Sequence, residues 1–299
     1  MNDFIKNKSV SVCMITYGHE SYIEKAIEGV LQQICDFKVE LIIANDCSPD
    51  CTDTIIASII KNHPKGSIIK YYKNENNIGM MPNFIFALKQ CKGKYIAICE
   101  GDDYWTDNLK LQKQVDFLEA NSDYVLCFHQ VAILKSNGVI VDDFITKVPK
   151  NHETIDDFAR HGNYIHTPSV VYRNIIKEFP NEFNITPIGD FFLYMILAEH
   201  GKFKYLTDRM CVYRHGIGIF SSQTDFKVSL NIIELFSCLL SSLKDEKINK
   251  IILERQFQQL ERLRGKYLIV NSKKERSFNI IKNIVKQIKK RIFKLFKNN

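Results

Sequence analysis

The sequence predicts an α/β fold: a mainly parallel, doubly wound sheet flanked by helices, followed by a helical C-terminal extension. Three observations carry this. Over the first hundred residues, short β-branched apolar runs alternate four times with stretches of helical periodicity. The runs are continuous in apolar character, as strands buried on both faces require. Beyond about residue 220 only helical spacing remains.

Taken in order, "VSVCMITY" (10–17) and "VELIIAND" (39–46) are the first two strands. Between them "SYIEKAIEGVLQQI" sets Ile23, Ala26, Ile27, Val30 and Leu31 at helical spacing, with Ser21 as the expected N-cap. "SPDCTDTIIASIIKNH" is a second helix and "SIIKYYKN" a third strand. "MPNFIFALKQCKG" is a helix with Pro82 near its start and Gly93 past its end, and "KYIAICE" is the fourth strand. Residues 106–215 are less regular: a helix in "LKLQKQVDFLEAN", a strand in "YVLCFHQVAIL", a loop and strand in "GNYIHTPSVVYRN", and a helix in "DFFLYMILAEHG". Helices follow over 225–243, 246–270 and 274–297. The expected divisions are a domain of residues 1–220, a helical region 221–272 and a basic tail 273–299.

Composition narrows the class. With 299 residues, 45% hydrophobic and 25% charged, the chain has the make-up of an ordinary globular protein. No apolar run reaches the roughly 18 residues needed to span a bilayer, and the N-terminus lacks the apolar core of a secretory signal. Nine cysteines without a CxxC pair, several inside apolar runs (Cys13, Cys99, Cys127), point to reduced thiols and a cytoplasmic location. The net charge of +7 belongs to the tail: residues 273–299 hold ten Lys/Arg and one Glu, leaving the rest near neutral.

In open α/β sheets the ligand crevice lies outside the carboxyl ends of the strands. Here those ends read "TYGHE", "ANDCSPD" and "EGDDYW". Asp46 suits a hydrogen bond to a ligand ring N–H or hydroxyl; equally, Asp46 and Ser48 would form an Asx-type turn that caps the next helix. Glu100, Asp102 and Asp103 repel one another at the mouth of the sheet, which suits hard-oxygen binding of Mg²⁺ or Mn²⁺ together with ligand phosphates. A solvated acidic loop is the plain alternative, but it does not call for Tyr104 and Trp105 directly after it. Trp105, the only tryptophan, is expected to pack the acidic turn onto the domain.

The blocks "SVCMITYGHESYIEKAIEGVLQQ", "LIIANDCSPDCT", "NNIGMMPNFIFALKQCKGKYIAICEGDDYWTDNLKLQKQVDFLE", "GDFFLYMILAEHGK" and "MCVYRHGIG", in this order over residues 8–220, resemble a family 2 glycosyltransferase of the GT-A fold. The resemblance implies an inverting transferase that uses a nucleotide-diphosphate sugar and a divalent metal (Mn²⁺ or Mg²⁺) in bacterial surface-polysaccharide synthesis. "AND" resembles the family's Asp-Asp-Gly-Ser turn, with Asn45 for the first aspartate and Cys47 for the glycine, so Asp46 would contact the base. "EGDD" resembles the DxD-type motif, so Asp102 and Asp103 would hold ribose and metal-diphosphate between them. Thr16, Tyr17 and Glu20 fall where the family's first strand meets the nucleotide. Asn77 and Gly79 match a turn near the nucleotide sugar, or form a simple Asn-Gly turn. Asp190 matches the catalytic aspartate that deprotonates the acceptor hydroxyl; by local chemistry alone it would be an N-cap. His215 would approach the diphosphate or metal, with Arg214 as the alternative phosphate partner. His161 and His166 make a poor metal pair, and Thr167 and Ser169 fit turn chemistry.

The tail places Ile281, Ile284, Val285, Ile288, Ile292 and Leu295 on one helical stripe, with lysines largely off it. That pattern suits an anionic membrane surface ahead of packing on the domain, and nucleic acid comes last because no aromatic residues interleave. The expectation is a peripheral enzyme on the inner face of the plasma membrane with a glycan or lipid-linked acceptor. A nucleotidyltransferase and a non-catalytic membrane-tethered module are the rival classes. The first would carry a Gly-rich basic loop after its first strand, which "TYGHESY" is not.

Overall fold

The computed structural model describes residues 8–218 and 223–268. They separate into two compact units: residues 8–179 with 196–218, and residues 180–195 with 223–268. Residues 180–195, grouped with the N-terminal 220 by the sequence reading, thus fall with the C-terminal helices. The basic tail 273–299 lies outside the described residues.

The first unit begins with the predicted alternation: β1 (Ser9–Thr16), α1 (Ile23–Leu31), β2 (Lys38–Asn45), α2 (Thr52–Asn62), β3 (Ile69–Lys73), α3 (Met80–Gln90) and β4 (Tyr95–Ile98). The four strands are parallel in the order β3-β2-β1-β4. Val10, Val12 and Met14 on one face of β1 pack with Ile23, Ala26, Ile27 and Val30 of α1. Ser11 and Cys13, on the other face, are buried too, which is why the run is apolar almost without interruption. Ser21 does not cap α1. The His19 carbonyl accepts from the Tyr22 and Ile23 N–H groups at 2.9 and 2.8 Å, so the helix begins at Ile23 behind Tyr22, without a side-chain cap.

The sheet continues with β5 (Tyr104–Trp105), β6 (Tyr124–Leu134), β7 (Ile140–Asp142), β8 (Val171–Arg173) and β9 (Lys202–Arg214), with helices α4 (Lys110–Ala120) and α5 (Ile155–His161) between them. The order beyond β4 is β8-β6-β9-β5, with β7 on β6. β8 runs antiparallel to β4 and β6, β9 parallel to β6, and β5 antiparallel to β9. The result is a mixed sheet with a mostly parallel frame flanked by helices, the α/β class that the sequence predicts. β9, the longest strand at 13 residues, has no counterpart in the sequence reading. Its pairing with β6 carries register shifts around His129 and Gln130, and Thr207–Arg209 are exposed, so neither alternation nor a continuous apolar run survives.

Under this sheet lies a buried lysine. Lys110 is fully buried, donates to Gln114 Oε1 at 2.8 Å and stands 4.2 Å from the Trp105 ring centroid. Burial pulls its ammonium down to about 8. The unfolded chain holds that proton up to the usual lysine range, so between about pH 8 and 10 unfolding takes up a proton and stability rises with pH. Lys110→Met removes this dependence. In denaturant titrations the variant should gain on the wild type by about 2 kcal/mol as pH falls from 10 to 7; parallel curves would mean that the buried lysine keeps its proton as it does in the unfolded chain.

The second unit holds the start of α6 (Gly189–Ala198), α7 (Asp225–Ser242) and α8 (Glu246–Leu268). Thr224 caps α7, and Asp245 Oδ1 accepts from the Lys247 and Ile248 N–H groups at the start of α8. Ile233, Leu253, Leu260 and Leu263 form its core, bridged by Gln256, which donates to the Ile233 carbonyl at 2.9 Å. Phe183 stacks on Phe192 within residues 180–195, and Phe191 meets Phe236 of α7 edge-on, joining that segment to the C-terminal helices. Among the described residues no helix is long and apolar enough to cross a membrane.

Candidate active site at the strand ends

β1 and β2 finish side by side, Thr16 opposite Asn45, and the chains that leave them are laced together. The Glu20 N–H donates to Asp50 Oδ2 and Glu20 Oε2 accepts from the Cys51 N–H, both at 2.9 Å. The Gly18 N–H donates to Ser48 Oγ at 3.0 Å. The Asx turn after β2 is made by Asn45, not Asp46: Asn45 Oδ1 accepts from the Ser48 N–H at 2.9 Å and its hydroxyl at 2.7 Å. Asp46 turns the other way. Its Oδ1 accepts from Asn74 Nδ2 and the Ile78 N–H, and its Oδ2 from the Gly79 N–H, all at 2.9 Å. Asn77 Nδ2 reaches the Asp46 carbonyl at 3.3 Å. Gly79 has φ +93°, which a side chain would strain. Asp46, Asn77 and Gly79 therefore form one hydrogen-bonded corner around the buried Asp46 carboxylate, while Tyr17, just past the end of β1, stands 45% exposed.

The acidic turn leaves β4 against the end of β1. Gly101 donates its N–H to the Ile15 carbonyl at 3.0 Å, and a Cβ there would lie 2.7 Å from Thr16 Oγ1 and 2.8 Å from His19 Nδ1. Only glycine permits this approach. Thr16 Oγ1 and His19 Nδ1 are themselves 3.1 Å apart. Burial lowers the His19 imidazole, against the pull of the Asp102 and Asp50 charges; the sequence reading did not single this residue out. Downstream, Tyr104 and Trp105 pair with Val212 and Cys211 of β9, and Trp105 Nε1 donates to the Pro168 carbonyl at 2.9 Å. Trp105 thus packs the turn onto the domain as expected.

This clamp holds three carboxylates together: the ligand oxygens of Glu100, Asp102 and Asp103 all lie within 4.8 Å of one another. Asp103 is 1% exposed. Its Oδ1 accepts from the Arg214 N–H at 2.8 Å, while its buried Oδ2 has no hydrogen-bond partner. Burial, reinforced by the Asp102 and Glu100 charges, pushes its carboxyl well above the usual carboxylate range. An orphaned oxygen among hard-oxygen neighbours fits a divalent cation. Arg214 is committed to holding the turn: its guanidinium donates to the Asp102 carbonyl and lies over the Tyr22 and Tyr104 rings at 4.9 and 4.7 Å. His215 follows it, donating its N–H to the Leu134 carbonyl at 3.0 Å. His161 ends α5, His166 Nε2 lies 3.0 Å from Asp143 Oδ2, and Ser169 Oγ closes its turn by donating to the His166 carbonyl at 2.6 Å. Asp190 belongs to the second unit, in the first turn of α6 rather than at its N-cap.

A sequence model of glycosyl transferase family 2 matches residues 11–180, more than half of the chain. The chain belongs to glycosyltransferase family 2. Among curated relatives, this family 2 chain is 36% identical over 214 residues to an uncharacterized protein of Mycobacterium tuberculosis, covering 71% of the chain and 61% of that relative. It is 30% identical over 136 residues to the putative teichuronic acid biosynthesis glycosyltransferase TuaG of Bacillus subtilis, covering 46% of the chain and 52% of TuaG. The chain thus matches about three fifths of the length of the first of these. In fold it is similar to residues 1–349 of TarS from S. aureus, solved with UDP-GlcNAc, at a TM-score of 0.65 and 19% identity over 90% of this chain and 77% of that one. The mannosyltransferase PcManGT of Pyrobaculum calidifontis, solved with GDP-Man and Mn²⁺, gives 0.59 and 13% over 87% and 76%.

Proposed function

We propose that this family 2 chain transfers a sugar from a nucleotide-diphosphate donor to a hydroxyl of a glycan or lipid-linked acceptor, with inversion, in bacterial surface-polysaccharide synthesis. The observation that carries the reading is the buried, unpartnered Oδ2 of Asp103 beside Asp102 and Glu100. Solved neighbours that bind UDP-GlcNAc and GDP-Man with Mn²⁺ support a sugar-nucleotide donor and a divalent ion.

Asp102 and Asp103 would hold Mn²⁺ or Mg²⁺, which when bound neutralises charge on the departing diphosphate. Arg214 keeps these carboxylates in place through Asp103 Oδ1. Asp46 serves the base: its Oδ2 has one internal partner and keeps a lone pair for a ring N–H. Thr16, Tyr17 and Glu20 line the nucleotide side, Asn77 and Gly79 the sugar side, and His215 the diphosphate. Asp190 takes the proton from the acceptor hydroxyl as its oxygen bonds to the anomeric carbon and the bond from that carbon to the diphosphate oxygen breaks. One displacement inverts the anomeric centre. The basic tail 273–299 brings the enzyme to the inner face of the membrane, where a lipid-linked acceptor lies.

Family membership supports this reading over a nucleotidyltransferase. A panel of UDP- and GDP-sugars with Mn²⁺ tests the rest: metal-dependent release of nucleoside diphosphate is expected for one donor. Absence of binding and turnover across the panel would leave the non-catalytic module. Sedimentation with phosphatidylglycerol vesicles should be weaker for residues 1–272 than for the full chain; equal sedimentation removes the membrane role of the tail.

A further inference from the structure

Phe144 is 55% exposed in a turn that is otherwise firmly built. Asp143, just after β7, accepts from the Ile145 N–H at 2.8 Å and the Thr146 N–H at 3.1 Å through Oδ1, and from the Thr146 hydroxyl at 2.6 Å through Oδ2. The same Oδ2 lies 3.0 Å from His166 Nε2, with the two side chains only 13% and 8% exposed. The His166 ring packs on Tyr213 at 4.9 Å. These bonds use residues 143, 145, 146 and 166, and none needs an aromatic side chain at 144. The fold fixes where that ring stands without requiring that it be a ring.

Where it stands is against His215, the neighbour in the chain of the arginine that holds the acidic turn. The Phe144 ring meets the His215 imidazole edge-to-face, with centroids 5.4 Å apart and planes at 66°. His215 follows Arg214, whose N–H binds Asp103 Oδ1. Lys135 Nζ lies 5.2 Å from the Phe144 centroid. Ile145 and Ile217, at 43% and 37% exposure, are each next to or near these residues in the chain. A fixed aromatic surface with a cation over the ring and an imidazole against it suits one chemical class well: a pyranose, whose C–H face packs on a ring while its hydroxyls hydrogen-bond to polar neighbours. An acyclic polyol phosphate has no such face.

From this juxtaposition we infer that Phe144 is the platform for the acceptor sugar, and that the acceptor presents a pyranose ring. The inference rests on the glycosyltransferase reading and adds to it a residue and a substrate class. It is tested with the full chain, methyl pyranosides of glucose, galactose and N-acetylglucosamine, and ribitol phosphate and glycerol phosphate as competing acceptors. Phe144→Ala should raise the KM for the accepted pyranoside tenfold or more without a matching rise in the donor KM, and Phe144→Trp should restore it. An unchanged acceptor KM in Phe144→Ala, or preference for a polyol phosphate, overturns the inference. So does a loss that appears only as weaker sedimentation with phosphatidylglycerol vesicles, which would make the ring a membrane contact. If no donor is turned over, the glycosyltransferase reading is what fails, and saturation-transfer NMR with the same pyranosides still tests the platform. A signal that is absent, or that persists in Phe144→Ala, then refutes it.

Discussion

Asp103→Asn is expected to give a folded protein, slightly more stable than the wild type, that no longer transfers sugar. The two effects have one cause. Three carboxylates share a small volume, and the most deeply buried of them keeps an oxygen without a partner. Replacing that oxygen by an amide removes a carboxyl whose ionisation is opposed by burial and by Asp102 and Glu100, while Asn Oδ1 still accepts from Arg214. A gain of about 1 kcal/mol, or about 2 °C for a chain this long, is the expected scale. The same change presents N–H groups where a cation needs an anionic oxygen, so kcat/KM should fall about 10³-fold or more, near 4 kcal/mol of transition-state stabilisation. Thermal melts, initial rates and calorimetric titration of UDP with Mn²⁺ read these separately. A variant that melts several degrees lower would show that the carboxylate serves the fold; one that keeps a tenth of the activity would place the metal elsewhere.

Asp190→Asn should separate binding from chemistry in the opposite way. Donor affinity is expected to stay within about twofold, while kcat for transfer falls by about 10² to 10⁴, the usual contribution of a general base. The residue lies in the first turn of α6, between Gly189 and the buried Phe191 and Phe192. An acid there also interacts favourably with the helix N-terminus, so a stability loss of up to about 1 kcal/mol is expected. Loss of the acidic limb of the kcat–pH profile would mark the proton acceptor. If donor affinity falls in step with kcat, Asp190 acts by shaping the fold.

The two substitutions differ in how their residues became visible. Asp103 stands out in the sequence because three acids in four positions contradict the apolar strand they follow. The structure adds the orphaned oxygen and the backbone amide of Arg214, supplied from 111 residues away. No pattern near "EGDD" contains that partner. Asp190 enters only through the family resemblance, because its surroundings at the start of α6 read equally as a helix terminus. The Asx turn was placed on Asp46 when Asn45 makes it, because two adjacent polar residues after a strand offer the same local chemistry. Which one bends back depends on whether Asn74, Ile78 and Gly79 arrive to occupy the other.

Local periodicity was enough for β1 to β4 and the helices between them. β1 and β4 are buried on both faces and each helix on one, so most residues there report their own environment. It was not enough for β9, whose bulged pairing with β6 mixes exposed and buried residues, nor for β5, two residues long and formed only because β9 lies beside it. The acidic turn, its clamp by Gly101 against Thr16, and the Asp143–His166 bond that fixes Phe144 all join residues distant in the chain. Side-chain chemistry is written residue by residue, whereas the partner that buries, charges or leaves unpaired each group is chosen only when the sheet closes.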